Sequence, residues 1–236
     1  MFLYNSIDKL LCMCYYLFHK EANMKKSVYS LVLSDAVVSA IDRAAYSQGL
    51  SRSALINSVL ADYVSYVTPE KRMQDIFRTI EELFGDTAYR CVPQPSESMF
   101  SLRAPLAYKY NPTIRYCLEL FRGSDPEGNI GVLRISLRTQ STALQSHLET
   151  FFSLWAKLEQ YYTSRPGKPL TGGRYEKAIR PAHKMSDDEL GRGIAAYIET
   201  VEENLNRFFS CLGETEAVRA VEEGYRKYRS EKATVE

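Results

Sequence analysis

The sequence predicts an α+β protein in two parts, an N-terminal β-α-α unit and a C-terminal domain with an antiparallel sheet and several helices. Three observations predict it. Lys26 to Leu33 alternates in polarity with period two, and two stretches of helical period follow before Thr68. Beyond Pro69 a helical stretch leads into four strand-like runs. Three long helical patterns then close the chain, and strands followed by segregated helices are the mark of an α+β domain.

In the alternating run, Ser27, Tyr29, Leu31 and Leu33 form the more apolar face, which is expected to turn inward. Lys26, Val28, Ser30 and Val32 form the other. Ser34 suits an N-cap, and Asp35 complements the dipole of the first helical turn. Val38, Ile41 and Ala45 continue at helical spacing to Gly49, a left-handed C′ residue by type. Ser51 caps a second helix whose apolar positions are Leu55, Ile56, Val59, Leu60 and Val64. A lone strand with two short helices cannot close a core, so this unit needs a second copy.

The order of elements, with Leu33-Ser34-Asp35 leaving the strand, Ile41-Asp42 and Ala45 in the first helix, Gly49-Leu50-Ser51-Arg52-Ser53 at the turn, and Leu55-Ile56 and Tyr63-Val64 in the second, resembles the ribbon-helix-helix family of dimeric repressors. The resemblance covers about a fifth of the chain, residues 25–67. It implies an antiparallel ribbon of two strands, one from each protomer of a homodimer, entering the major groove of double-stranded DNA. By position, Lys26, Val28, Ser30 and Val32 would meet base edges, with Lys25 beside them on phosphate. The amides of Ser51, Arg52 and Ser53 would hold a phosphate at the helix N-terminus. One departure stands out. Family members generally carry longer polar or basic residues on this face, whereas two of its four positions here are valine, which can only pack on thymine methyls.

Charge adds little. Between Met24 and Thr68 four cationic residues face three acidic ones, and the whole chain carries +1. Five cysteines, an odd number without a pairing framework, fit a reducing cytoplasm.

Residues 1–23 read as a leader. The apolar run Leu10 to Phe18 is too short to span a bilayer, which takes about 20 residues, so no membrane partner is expected. Lys20-Glu21-Ala22 can be encoded by AAG GAG GCN, which contains a bacterial ribosome-binding sequence just before Met24. Translation is therefore expected to begin at Met24. A native peptide containing Tyr4 to Lys9 would contradict this.

Thr68-Pro69 marks the expected boundary between the unit, residues 24–68, and the domain, residues 69–236. Ile76, Phe77, Ile80, Leu83 and Phe84 predict a helix ending at Gly85. Strands are expected over 89–92, 99–106, 113–121 and 130–139, the last two as an antiparallel hairpin across the turn-rich run Gly123 to Asn129. Helices are expected over 144–162, 186–211 and 214–229, the second opened by a capping box at Ser186 to Glu189. Arg165 to Gly173 is expected to be a connecting loop.

Chemistry in this domain is sparse. Arg115 and Glu119 are expected on one sheet face, and Arg134, Ser136 and Arg138 on another; an arginine-lined face suits an anionic effector or nucleic acid, a solvated salt-bridged surface being the blander reading. His19, His147 and His183 lack the spacing of a metal site or triad, so no enzyme and no cofactor is expected.

The expected function is a cytoplasmic bacterial transcriptional regulator, a homodimeric repressor acting by operator occupancy. The larger domain would bind a small ligand or a protein, or join dimers into tetramers for avidity on adjacent half-sites. Two alternatives stand beside it. One is an interaction or scaffold protein that uses the unit only as a dimerisation clamp; the other is an accessory DNA-binding factor of a plasmid or mobile element.

Overall fold

A computed structural model describes residues 28–85, 87–93, 96–212, 216–231 and 234–235. The leader and the start at Met24 lie outside the described residues. The chain divides into two compact units at Ser65/Tyr66, a little before the boundary expected from Pro69. Its fold is α+β, with six helices and a six-stranded antiparallel sheet among the described residues. None of these helices is long and apolar enough to cross a membrane.

The first unit contributes α1 (Asp35–Ser47) and α2 (Arg52–Tyr63). Gly49, at φ +66°, ends α1 in a Schellman turn: the Leu50 amide donates to the Ala45 carbonyl at 2.9 Å and the Gly49 amide to that of Tyr46 at 3.2 Å. Residues 28–33, part of the expected strand, lead into α1 without strand pairing among the described residues. A strand exists through its hydrogen-bonded neighbour, and the described part of this unit holds no other strand.

The second unit begins with α3 (Pro69–Phe84), where Pro69 fills N1 and the Thr68 hydroxyl accepts from the Lys71 amide. Strands β1 (Arg90–Val92), β2 (Met99–Pro105), β3 (Thr113–Leu120) and β4 (Gly131–Leu137) form a meander, then come α4 (Thr142–Thr163), β5 (Lys168–Leu170), β6 (Arg174–Ile179), α5 (Asp187–Ser210) and α6 (Glu216–Glu231). The strand order is β1-β2-β3-β4-β6-β5, all antiparallel, with three-residue strands at both edges. Two features depart from expectation. The expected loop at Arg165 to Gly173 contains β5, and β6 follows it; Gly172 and Gly173, both at positive φ, turn the chain between them.

Alternation decides which sheet face is covered. Leu102, Tyr116, Ile135 and Tyr175 occupy one cross-strand row of the inner face, each no more than 1% exposed. Helices α3 to α6 join that face in a single core with Trp155, Phe151 and Phe152 at its centre. The capping box at Ser186 and Glu189 is present as expected. The opposite face carries most of the exposed strand positions, with Ser101 and Glu119 buried on it, an arrangement antiparallel sheets tolerate.

Candidate nucleic-acid interface

The lead into α1 sorts its side chains by parity from Ser30 onward, Tyr29 of the odd set being 83% exposed. Val28 and Val32 are 97% and 102% exposed, and Ser30 is exposed with them. Leu31 and Leu33 turn toward the helices and line an open hollow of about 490 Å³ with Ile41, Leu55, Ile56 and Leu60. Among the described residues of this unit only Ala45, Leu55 and Ala61 are buried, and Leu31, Leu33 and Leu60 at the hollow stay exposed. Lys25 and Lys26 lie outside the described residues.

At the start of α2, Ser51 caps with its hydroxyl, which accepts from the Ala54 amide at 3.2 Å. Its carbonyl takes the Leu55 amide, which leaves the amides of Arg52 and Ser53 without an acceptor among the described residues. Such a pair at a helix N-terminus attracts an anion. Ser53 is exposed and leaves the approach open. The Arg52 guanidinium is engaged elsewhere: it forks onto the Asp42 carboxylate, with Nε and Nη2 both at 2.6 Å. The pair holds the Asp42 carboxyl below its ordinary range, mainly through the hydrogen bond from Arg52. Arg52 therefore ties α1 to α2, and the anion-attracting groups at this end are amides.

In the second unit, register corrects the expectation for the sheet arginines. Arg115 pairs with Ser136 and Glu119 with Val132, so Arg115, Glu119, Arg134 and Ser136 share the same outer face, and Arg138 continues its parity. Arg134 is salt-bridged to Glu119 at 2.6 Å and to Glu176 at 3.0 Å. Arg115 and Arg138 form no ion pair among the described residues.

Sequence reasoning missed a buried polar cluster altogether. Glu159 of α4, 1% exposed, accepts from the Tyr197 hydroxyl at 2.6 Å and the Tyr175 hydroxyl at 2.7 Å. It also takes the Gly167 amide and meets the Lys177 ammonium at 3.3 Å. Lys177 donates in turn to the Arg165 carbonyl, and Trp155 Nε1 to the Tyr197 hydroxyl. Burial and the Glu159 charge push both tyrosine hydroxyls well above their ordinary range. The carboxylate is met by four donors, and the cluster ties α4 to β6 and α5 within the core. The available signal was a charge within the alternating run Tyr175, Lys177 and Ile179.

Comparison with protein-family models, with curated proteins and with solved structures found no match for the chain.

Proposed function

We propose that the chain is a dimeric DNA-binding transcriptional regulator of the ribbon-helix-helix kind, acting as a repressor by occupying its operator in a bacterial cytoplasm. One observation carries the reading: the open apolar hollow lined by Leu31 and Leu33, beside a segment without strand pairing among the described residues. A second copy supplies both missing parts, a strand for the backbone and an apolar lid for the hollow. Completing the burial of the half-exposed Leu31, Leu33, Val59 and Leu60 is worth about 1 kcal/mol each. Pairing then leaves Val28, Ser30 and Val32, with Lys26, on the outer side of the ribbon, and the amides of Arg52 and Ser53 hold flanking phosphate.

Footprinting on the gene's own promoter tests this, comparing wild type with Lys26→Ala/Ser30→Ala. Wild type is expected to protect a palindromic site and the double variant to lose it. Absence of any protection at low salt would sink the regulator reading. A second reading has its own observation: Arg52 is occupied by Asp42, and valine fills half the outward face, as suits a dimerisation clamp. Dimers without a footprint would favour it.

A further inference from the structure

The outer sheet face carries a straight row of arginines without an ion pair among the described residues. Register places Arg90 opposite Arg103, Arg103 opposite Arg115, and Arg115 opposite Ser136. One residue past the Ile135–Tyr175 pair, Arg174 opens β6 at the level of Ser136. Four arginines and one serine thus cross five adjacent strands, about 19 Å at about 4.8 Å per strand. Like charges directly opposite one another destabilise a sheet, so this row costs the fold stability unless something outside it supplies negative charge.

The neighbouring row shows the contrast. There Arg134 sits between Glu119 and Glu176, whereas Arg90, Arg103, Arg115 and Arg174 form no ion pair among the described residues. Arg115 is held by one hydrogen bond, from Nη2 to the Ser101 hydroxyl at 3.1 Å, and its Nε is shielded without any acceptor. Arg174 has only the Thr171 carbonyl. Forked guanidinium donors are the side chains best matched to phosphate oxygens. The register positions within and beside the row, Ser101, Thr113, Cys117 and Ser136, are small and offer no stacking platform to unpaired bases.

We propose that this face binds the phosphate backbone of double-stranded DNA without reading sequence, a second DNA contact remote in sequence from the ribbon. The choice of DNA among polyanions rests on the regulator reading; the phosphate chemistry does not.

The test uses the full chain and an operator-free duplex of random sequence, with affinity measured across a salt series. Arg103→Gln/Arg115→Gln/Arg174→Gln is expected to weaken binding and flatten the slope of log K against log salt by about 0.9 per arginine. The pair Arg103→Gln/Arg174→Gln, both at exposed positions, guards against misfolding and should lose about two thirds as much slope. Lys26→Ala/Ser30→Ala should leave most of the slope in place. An unchanged slope in both arginine variants overturns the proposal, as does a wild type that ignores the duplex at low salt. Variants that lose inorganic polyphosphate but keep duplex binding overturn the choice of DNA. A flattened slope with no promoter footprint fails the regulator reading alone; a footprint with unchanged slopes fails the sheet contact alone.

Discussion

The two units solve the problem of apolar surface in opposite ways. Among the described residues, the first buries Ala45, Leu55 and Ala61 and leaves eleven large hydrophobic side chains exposed, from Val28 to Val64. The second, several times larger, exposes six and places Trp155, Phe151, Phe152 and the inner sheet face at or near zero exposure. A unit of two short helices has too much surface for its volume to finish a core, and four helices over a sheet do not. Stability that the second unit holds internally, the described part of the first lacks, and the proposed dimer would supply it.

The largest expected effect falls on the self-sufficient side. Glu159→Ala strips a buried cluster of its carboxylate and leaves the Lys177 ammonium buried, which costs about 3–5 kcal/mol. Denaturant unfolding followed by the fluorescence of the single tryptophan, itself in the cluster, reads it directly. A loss below 1 kcal/mol would mean the cluster is not what holds α4 to β6.

Leu60→Asp is next, and its effect should fall elsewhere. A charge at the rim of the open hollow is expected to weaken self-association about a hundredfold, roughly 2.7 kcal/mol, in analytical ultracentrifugation. The tryptophan-reported unfolding should not move. If it does, the two units are not independent in the way their burial suggests.

Gly49→Ala tests the turn. No atom lies within 4 Å of the added methyl, so only the left-handed backbone at φ +66° resists it, at roughly 1–2 kcal/mol. The loss should appear as weaker dimerisation, read by the same sedimentation.

The smallest effect is pH-dependent. Burial, with Glu203 adding to it, pushes the Glu202 carboxyl up to about 7 from an ordinary 4.5. The folded state then binds the proton more tightly than the unfolded chain, so this group's contribution to stability is greatest below pH 4.5 and declines as pH rises to about 7. Partial exposure limits the effect to about 1 kcal/mol. Glu202→Gln should flatten stability across that window, checked by denaturant midpoints at pH 4.5 and 7.5.

Local signals carried much of this fold. Pro69, the Ser186 to Glu189 capping box and the apolar spacing of Leu148, Phe151, Phe152 and Trp155 are written within a few residues, and their helices lie where periodicity put them. Strands β5 and β6 were illegible for a nonlocal reason. Lys177 sits at an inward position because Glu159, eighteen residues earlier on α4, neutralises it, and a sequence window sees only a charge interrupting the pattern. The arginine row was hidden likewise. Each arginine is visible alone, but only register aligns Arg90, Arg103, Arg115 and Arg174, and β6 reaches its place beside β4 after a helix and a strand. Arg52 was legible as a charged residue near a helix start, yet its partner Asp42 lies ten positions back across a turn.

The edges of the sheet carry a last consequence. Each is a strand of three residues, and Pro169 at the middle of β5 has no amide to offer. A fibre grows by adding strands to a long, unpaired border, and this sheet has almost none. Residues 28–33, without strand pairing among the described residues, are instead the border that a partner's strand would have to close. Concentrated protein should therefore stay as discrete particles in light scattering, without growth into filaments or thioflavin-binding aggregates.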